Sequence, residues 1–440
     1  MKYLSVIYYD TFARFFCAIE DAVKAHDASA SFLHLAIFPS GWLYMKAQGR
    51  NVRLLPWQVR KSHSRSPLSV HMLDKISHYH AVAGERHGEG YSDILRCRAQ
   101  AYVSTMAAIV QEFEPDAVLF SGDTRIACEA LQHYLNESEH PAKRFYFEQG
   151  PNGTTIFDKK GVNANCSFRE PAASLMGDGY NPAVKVKQQR FRRNPFYRGC
   201  DYALISALRV IGRVPPEWDT MSLERLPKKA YERCISLGRK NSCPGKAEVL
   251  VALQVPDDAN NIHHNPLGLA DAELVRWVLR ASHEAGLLVR VREHPLYRRR
   301  YSAEMYKILA ESERTILSDS TLDEDLISAR VVVTINSMTG LDAYLREVPV
   351  VTLGNSFYDH LPGIERVRDE GHLEAVLKEL LENGLTQKLA GLRPASIFAE
   401  MCEKNFIIGH YLDEHLVAPR AIAEILANEL KLNEVTSDEP

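Results

Sequence analysis

The fold is decided by the stretch Val331-Val-Val-Thr-Ile-Asn336-Ser337-Met-Thr339-Gly340-Leu-Asp342, in which an apolar run leads through a polar turn into a helical pattern. The same succession repeats along the second half of the chain. Strands are predicted at residues 248–255, 287–292, 314–317, 331–335 and 348–353, with helices between them at residues 271–285, 302–310, 322–329 and 338–346. Short apolar strands separated by helices of about 10–15 residues predict a parallel sheet made of right-handed βαβ units.

A second, less regular alternation occupies the first half. Buried strands are predicted at residues 2–8, 31–38 and 116–120, and helices at residues 12–25 and 126–135. Prolines and glycines cluster between residues 213 and 246, which indicates a domain boundary. A chain of 440 residues is too long for one ordinary core. We therefore predict an N-terminal α/β domain over residues 1–235, a C-terminal one over residues 245–390, and helices over residues 391–440, one of them at residues 396–415.

Composition excludes several classes of protein. The chain is 45% hydrophobic and 25% charged, as globular proteins are, and its net charge of -3 gives no general attraction to nucleic acid. No apolar run approaches the ~18 residues of a membrane span, and the apolar N-terminus is too short for a signal peptide. We expect a cytoplasmic protein that does not bind nucleic acid.

Cysteine and histidine positions give no sign of a metal site. The eight cysteines contain no Cys-x-x-Cys pair, which favours reduced thiols. Histidines cluster at residues 63–87 and at His263-His264 without a ligand spacing, so we expect them on the surface or in loops. The role of residues 63–90 stays open.

Polar residues follow the predicted strands of the second half. In a parallel sheet these strand ends share one edge, where doubly wound folds bind ligands. Hydroxyls, amides and cations there suit an anionic nucleotide, although a lone Ser-x-Thr also serves as a helix cap. The predicted nucleotide contacts are Gln254, Asp257, Arg292, His294, Pro295, Asn336, Ser337, Thr339, Gly340 and Asp342.

A polar loop is predicted from Glu148 to Ser167, after an apolar strand. It contains three glycines and three asparagines, and it carries two carboxylates, Glu148 and Asp158, ten residues apart. Alone it could equally be a surface turn. Opposite a nucleotide site, its carboxylates suit chemistry at an anomeric carbon, with Gly150, Gly161 and Asn163 allowing close approach.

Two further segments have open interpretations. Ser121, Asp123 and Arg125 follow a predicted strand and are either acceptor contacts or a turn. The segment from Lys185 to Arg198 has six cations, three aromatic residues and no acid, which suits an anionic membrane surface or a solvated face.

The ordered motifs resemble those of a known family. Glu148-x-Gly150, Asp158-x-x-Gly161-Val-Asn163, Leu253-Gln254 with Asp257, His294-Pro295 and Asn336-Ser337-x-Thr339-Gly340 are similar to the KpsS/KpsC capsule polysaccharide proteins, which are retaining β-Kdo glycosyltransferases. The resemblance covers roughly residues 115–360. It implies an α/β, GT-B-like fold in which two Rossmann-type domains with parallel sheets face each other across a cleft, and a last helix that returns to the first domain.

The resemblance also implies roles for individual residues. Asp158 would be the catalytic carboxylate, as nucleophile, and Glu148 its acid/base partner. Gln254, His294, Ser337 and Thr339 would hold CMP. Asp342 stands where the family often has Glu, one methylene longer.

The implied substrates are CMP-β-Kdo and a lipid of the phosphatidylglycerol type or a Kdo linker, at the inner face of the cytoplasmic membrane, with other capsule proteins as partners and no cofactor. The alternatives are a transferase for another CMP- or UDP-sugar, an epimerase of similar fold, against which the carboxylate pair argues, and a catalytically silent scaffold.

Overall fold

A computed structural model describes residues 1–59, 67–84, 91–169, 189–218, 225–241, 248–283, 286–382 and 391–436. The chain forms two compact units. The first comprises Met1–Ser167, Val184–Met221 and Cys402–Pro440, and the second Phe168–Ala183 and Ser222–Met401.

The first unit is built on a seven-stranded sheet. Its strands are β1 (Lys2–Ile7), β2 (Ser31–Ala36), β3 (Val52–Leu54), β4 (Ala117–Ser121), β5 (Lys143–Gln149), β6 (Thr154–Asp158) and β13 (Phe406–Ile408). They lie in the order β13-β6-β5-β4-β1-β2-β3, and β1 to β5 are parallel while β6 and β13 are antiparallel additions. The order reverses between β1 and β4, which is the switch point of this sheet.

Helices cover both faces of this sheet. They are α1 (Asp10–His26), α2 (Pro39–Ala47), α3 (Leu55–Gln58), α4 (Val70–Ala83), α5 (Tyr91–Phe113), α6 (Ile126–Glu137), α7 (Pro195–Val210) and α16 (Ala418–Thr436). On one face Phe15 and Phe16 of α1 pack with Ile422 of α16, and on the other Met106 of α5 packs with Leu131 of α6. Burial from both sides explains why the strands are continuously apolar.

The second unit contains a six-stranded parallel sheet. Its strands are β7 (Glu248–Ala252), β8 (Leu288–Arg292), β9 (Thr315–Leu317), β10 (Ala329–Thr334), β11 (Val350–Thr352) and β12 (Ile364–Arg366). They lie in the order β12-β11-β10-β7-β8-β9. Numbered within the unit, this is the 3-2-1-4-5-6 order of dinucleotide-binding folds, with the switch point between β7 and β10.

Seven helices lie wholly in the described part of the second unit, and an eighth begins there and ends in the first unit. They are α8 (Lys228–Asn241), α9 (Ala259–His263), α10 (Asp271–Ala281), α11 (Ala303–Glu311), α12 (Leu322–Ser328), α13 (Met338–Tyr344), α14 (Glu370–Glu382) and α15 (Pro394–Asn405). Short 3-10 turns occur in both units at Pro151–Gly153, Asn163–Asn165, Ser167–Arg169, Pro216–Trp218 and Pro295–Tyr297.

The predicted α/β class with Rossmann-like parallel sheets is confirmed. Two local predictions are wrong. Residues 154–158 are strand β6 rather than loop, and residues 406–408 are strand β13 rather than helix, because these short segments pair with each other and with β5. The two compact units divide after Met221, and α8 packs on β9 within the second unit.

Candidate active site

Two polar side chains join across the switch point of the second sheet. Gln254 follows β7, and Asn336 follows β10. The Gln254 side-chain oxygen accepts the backbone N–H of Asn336 at 3.0 Å, and the Gln254 amide donates to the Asn336 side-chain oxygen. Because ligands of this fold class bind outside the strand ends at this point, the pair lies where the nucleotide is predicted.

The Asn336 amide also ties α9 to the loop after β11. Its Nδ2 lies 3.1 Å from the carbonyl oxygen of Asn260, 3.3 Å from that of His264 and 3.0 Å from that of Asn355. A Cβ at Gly354 would lie 2.6 Å from the His264 carbonyl oxygen, so the loop after β11 needs glycine there. Asn336 is buried, and these contacts satisfy its polar groups.

Ser337 begins helix α13 and acts as its cap. Its Oγ accepts the N–H of Thr339 at 3.2 Å. The hydroxyl of the fully buried Tyr358 donates to the Ser337 carbonyl oxygen. A Cβ at Gly340 would lie 2.5 Å from the Tyr358 hydroxyl oxygen, so glycine is required at that position. The Ser-x-Thr-Gly pattern therefore has a structural role, and contact with a ligand stays a prediction.

The strand end that carries His294 is tied to Gln254 through Tyr301. The Tyr301 hydroxyl accepts the His294 backbone N–H and donates to the Gln254 carbonyl oxygen, both at 3.0 Å. The His294 ring caps the 3-10 turn that begins at Pro295. Burial lowers the pKa of His294, against the opposing charge of Asp258. A neutral imidazole at this edge offers a hydrogen bond rather than a fixed charge.

Arg292 is engaged in a buried ion pair. Its Nη1 lies 2.6 Å from Asp325 Oδ2 and donates to the Ser320 carbonyl oxygen at 3.0 Å. Asp325 is 1% exposed, and a buried carboxylate that loses its partner costs about 3–5 kcal/mol. The structure therefore gives Arg292 a structural role, and binding of phosphate would compete with it.

The remaining predicted nucleotide contacts lie at the same end of the sheet. Asp257 follows β7, while Thr339 and Asp342 belong to α13, and all three are half-buried. Their contact with a nucleotide stays a prediction.

His264 lies in the loop after α9, one of the two placements predicted, but it is buried rather than at the surface. It is 7% exposed, and its carbonyl oxygen also accepts the Asn355 N–H at 2.8 Å. Burial, reinforced by the charge of Arg169, lowers the pKa of its ring to about 4. The local sequence gives no sign of this, because the burial comes from the loop after β11.

A charged cluster near His264 was missed by the sequence prediction. Asp359 is 1% exposed, and its carboxylate accepts Arg169 Nε at 3.0 Å and Nη2 at 2.6 Å. Arg366 Nε lies 3.2 Å from the same carboxylate. Both guanidinium groups also donate to Asn355 Oδ1. Two guanidinium groups thus meet at one buried carboxylate beside the loop after β11.

The Asp158 carboxylate is held by its own loop in the first unit. Asp158 is 6% exposed at the end of β6. Its Oδ1 accepts the N–H groups of Lys160 and Gly161 at 2.7 and 3.1 Å, and its Oδ2 accepts the N–H and the hydroxyl of Ser167 at 3.0 and 2.5 Å. Each oxygen accepts two hydrogen bonds, so nucleophilic attack requires a donor such as Ser167 to move away.

A second carboxylate anchors the middle of the same loop. Asp123 Oδ2 accepts the Val162 N–H at 3.0 Å and Asn165 Nδ2 at 2.9 Å. Burial raises the pKa of Asp123, and these donors oppose the rise. A Cβ at Gly161 would lie 2.9 Å from Asp123 Oδ2, and Asn163 adopts the left-handed conformation at φ 54°. The structure thus shows Asp123 as an anchor of the Asp158 loop, and its contact with an acceptor stays a prediction.

Glu148 and Asp158 lie on paired strands rather than on one loop. The β5–β6 register pairs Glu148 with Ile156 and Tyr146 with Asp158. Paired residues and residues two apart share a face, so the two carboxylates are diagonal neighbours, with Cα atoms about 7–8 Å apart. Gly150 closes the hairpin through a backbone hydrogen bond across its turn. The register therefore places both predicted residues on one face of the β5–β6 hairpin, and their joint role in catalysis stays a prediction.

Arg125 lies beyond the end of β4, beside the switch point of the first sheet. Its guanidinium stacks on the Tyr79 ring at 3.9 Å from the centroid, a cation–π contact. The Ser121 hydroxyl is buried and finds no hydrogen-bond partner among the described residues. The prediction that an acceptor binds near Ser121 and Arg125 stays untested.

The cationic segment from Lys185 to Arg198 is only partly described, since residues 185–188 lie outside the described residues. Of the histidine-rich residues 63–90, residues 63–66 and 85–90 also lie outside the described residues. Three described arginines contact side chains of the first unit: Arg190 contacts His410, Arg193 contacts Asp10, and Arg198 contacts Asp201. Arg192 is exposed.

Residues 216–382 match the sequence model of a family described as capsule polysaccharide biosynthesis protein. The matched residues include Gln254, His294, Asn336 and Ser337, so the predicted resemblance to capsule polysaccharide proteins is confirmed for the part of the chain that holds the predicted nucleotide contacts.

Individual proteins similar to the chain were also found. Protein FixF of Sinorhizobium fredii is 31% identical over 131 residues, which are 29% of this chain and 32% of FixF. The chain thus matches about a third of the length of that protein. One similar solved structure is Thermosulfurimonas dismutans KpsC, beta Kdo 2,7 transferase, which is 14% identical over 74% of this chain and 89% of that chain, with a TM-score of 0.38. Another is Neisseria meningitidis UDP-GlcNAc 2-epimerase, which is 11% identical over 98% of this chain and 99% of that chain, with a TM-score of 0.33.

Proposed function

We propose that this chain is a capsule polysaccharide biosynthesis glycosyltransferase. It transfers Kdo from CMP-β-Kdo, with retention, to a lipid of the phosphatidylglycerol type or to a Kdo linker. The observation that carries the proposal is the Gln254–Asn336 pair at the switch point of a Rossmann-ordered sheet, within the segment that matches the capsule family. The Asp158-x-x-Gly161-Val-Asn163 pattern supports the choice of sugar through the resemblance described above.

The charges of the second unit suit this donor. A CMP-sugar carries an ionised phosphate, and Kdo adds a carboxylate. Arg169 and Arg366 both lie against Asp359 beside the loop after β11, and these guanidinium groups would attract the anionic donor. Neutral donors at the strand ends, such as His294 and Ser337, would orient the nucleotide without neutralising it.

The proposed reaction proceeds in two displacements. The bond between the Kdo anomeric carbon and the CMP phosphate oxygen breaks, CMP leaves with the electron pair, and Asp158 forms a glycosyl ester. The acceptor hydroxyl then attacks the same carbon while Glu148 takes its proton, and Asp158 leaves. Two inversions give retention. This chemistry requires the two units to face each other across a cleft, which stays a prediction.

Binding of CMP tests the donor side of the proposal. Asn336→Ala removes the amide that ties α9 to the loop after β11, and calorimetry is expected to show CMP affinity reduced about 5- to 150-fold, since loss of a buried hydrogen-bonded network costs about 1–3 kcal/mol. Asn51→Ala is the matched control, because the Asn51 amide donates to a single carbonyl oxygen in the first unit. Undetectable CMP binding by the folded protein, or equal affinity in both variants, would contradict the proposal.

One observation favours a second candidate, a catalytically silent scaffold of a capsule assembly complex. Both Asp158 oxygens already accept two hydrogen bonds, and the residue is 6% exposed. A scaffold would bind CMP with the same dependence on Asn336 but would transfer no sugar to any acceptor. An assay of sugar transfer therefore distinguishes the two candidates.

We propose that the protein works at the inner face of the cytoplasmic membrane, where a lipid acceptor and other capsule proteins are found. Among the described residues, no helix is both long and apolar enough to cross a membrane. Contact with the membrane would then be peripheral, through side chains at the surface.

A further inference from the structure

Helix α7 presents an apolar face to solvent along its whole length. Phe196 at its start is 65% exposed, Val210 at its end is 87% exposed, and the adjoining Ile211 is 50% exposed. Between them, the same side of the helix carries small or aliphatic exposed residues, namely Gly199, Ala203, Leu204 and Ala207. Contiguous exposed apolar surface of this kind usually marks a binding site for a protein or a membrane.

The other side of α7 is fixed to the first unit. Ile205 and Leu208 are buried, and Asp201 accepts the Ser40 backbone N–H of α2 at 2.7 Å. The Tyr197 ring packs against Tyr44 of α2 with centroids 5.5 Å apart. The outward face is therefore a rigidly held surface.

The sequence around this face carries an excess of positive charge. Residues 189–213 contain six arginines and a single acid, Asp201, which is fully buried. Arg192 precedes the helix, Arg209 lies in its last turn, and both are exposed. Arg213 follows the helix, donates to the Trp57 carbonyl oxygen at 2.7 Å and lies over the Trp57 ring, which is 54% exposed. Apolar side chains, a tryptophan and arginines are the components of helices that lie in the membrane interface.

We propose that the outward face of α7, together with Trp57, docks on an anionic lipid bilayer, with the helix parallel to the surface. The apolar face would enter the headgroup region, while the arginines reach the phosphates. The surplus of arginines favours an anionic bilayer over a second copy of the chain, because two copies of this face in contact would place like charges together. This inference deepens the proposed function, which requires a lipid acceptor, but it is tested without donor or transfer.

Flotation with lipid vesicles tests the docking surface. The full chain is mixed with vesicles of phosphatidylcholine alone, or of phosphatidylcholine with an equal amount of phosphatidylserine, which supplies negative charge without the proposed acceptor headgroup. We expect binding only to the anionic vesicles and weakening with salt. Val210→Asp/Ile211→Asp should reduce binding at least tenfold, and Arg192→Gln/Arg209→Gln about fivefold per arginine.

Ile327→Asp is the matched control, because Ile327 is 84% exposed in the second unit, away from α7 in the chain. It should leave binding unchanged, and thermal unfolding should confirm that the variants fold. Absence of binding to anionic vesicles, or equal losses in the α7 variants and the control, would overturn the inference. So would a change from dimer to monomer in Val210→Asp/Ile211→Asp without any vesicle binding, since the occupant would then be a second copy.

If the protein does not bind anionic vesicles, it can still bind CMP and still transfer sugar to a soluble acceptor. Failure of transfer, conversely, leaves vesicle binding untouched. The inference and the proposed function can therefore fail separately.

Discussion

Replacement of Asp158 by alanine is expected to destabilise the first unit, whatever the catalytic role of this residue. The largest loss arises from the buried backbone N–H of Gly161, which Asp158 Oδ1 accepts at 3.1 Å. A buried donor without an acceptor costs about 1–3 kcal/mol. Lys160 and Ser167 are exposed residues, so water can replace the acceptor of their N–H groups, and their contacts add about 1 kcal/mol. The expected loss is therefore about 2–4 kcal/mol.

Two comparisons isolate this effect. Asp158→Asn keeps an oxygen for Lys160 and Gly161 and loses only the contacts with Ser167, so we expect a loss of about 1 kcal/mol. Asp27→Ala is the surface control. Asp27 accepts the N–H and the hydroxyl of Ser29 at 2.9 and 2.6 Å in an exposed turn, and its removal should cost less than about 1 kcal/mol.

Tryptophan fluorescence during urea unfolding provides a signal specific to the first unit. Of the four tryptophans, only Trp277 lies in the second unit, so a Trp277→Phe background reports the unfolding of the first. In thermal unfolding of the same background, the midpoint temperature of Asp158→Ala should be lower by roughly 10 °C, at about 2–4 °C per kcal/mol. If Asp158→Ala were as stable as Asp27→Ala, the carboxylate would not hold the loop, and the reasoning from its four hydrogen bonds would be refuted.

Two further predictions concern packing and pH. Gly340→Ala places a Cβ 2.5 Å from the Tyr358 hydroxyl oxygen, so the free energy of unfolding should fall by about 1–3 kcal/mol, as measured by thermal unfolding. Adding Tyr358→Phe in the same chain should recover part of this loss. If the losses of the two substitutions were additive instead, the clash would be contradicted. Burial raises the pKa of Glu20, but hydrogen bonds from His34 and Lys24 outweigh it and lower that pKa to about 2. The stability that this depressed pKa contributes is present above pH 4.5 and is lost as the pH falls through about 2. Glu20→Gln should remove on the order of 3 kcal/mol of this pH dependence in acid titrations of unfolding, and an unchanged acid profile would contradict the assignment.

Local patterns predicted the second sheet well, since each strand there is short, apolar and followed by a helix. Strand order then places Gln254 beside Asn336, because β7 and β10 are neighbours at the switch point. The direct bond between the two side chains depends on rotamers, which the sequence does not contain. The sequence likewise predicted a charge at the strand end that carries Arg292, but it could not predict the ion pair, because the partner Asp325 lies 33 residues away.

The first unit was harder to predict because its edge is assembled from distant segments. Residues 154–158 lie between glycines, which favours a loop locally, yet they pair with β5 and with β13 from the end of the chain. The same pairing turns the predicted loop into a hairpin and sets Glu148 diagonally from Asp158. Asp123 was recognised as a polar strand end, but its function as an anchor depends on Val162 and Asn165 folding back over it.

Transfer of sugar to a defined lipid tests the central proposal most directly. Purified protein is incubated with CMP-β-Kdo, formed in situ, and a fluorescent phosphoglycerol lipid, and the product is analysed by mass spectrometry. The proposal predicts a mass gain of one or more Kdo units, lost in Asp158→Asn, which keeps most of the stability of the loop, and retained in Ser167→Ala, which frees Asp158 Oδ2 from one donor. No mass gain with folded protein that binds CMP, or an undiminished gain with Asp158→Asn, would contradict it.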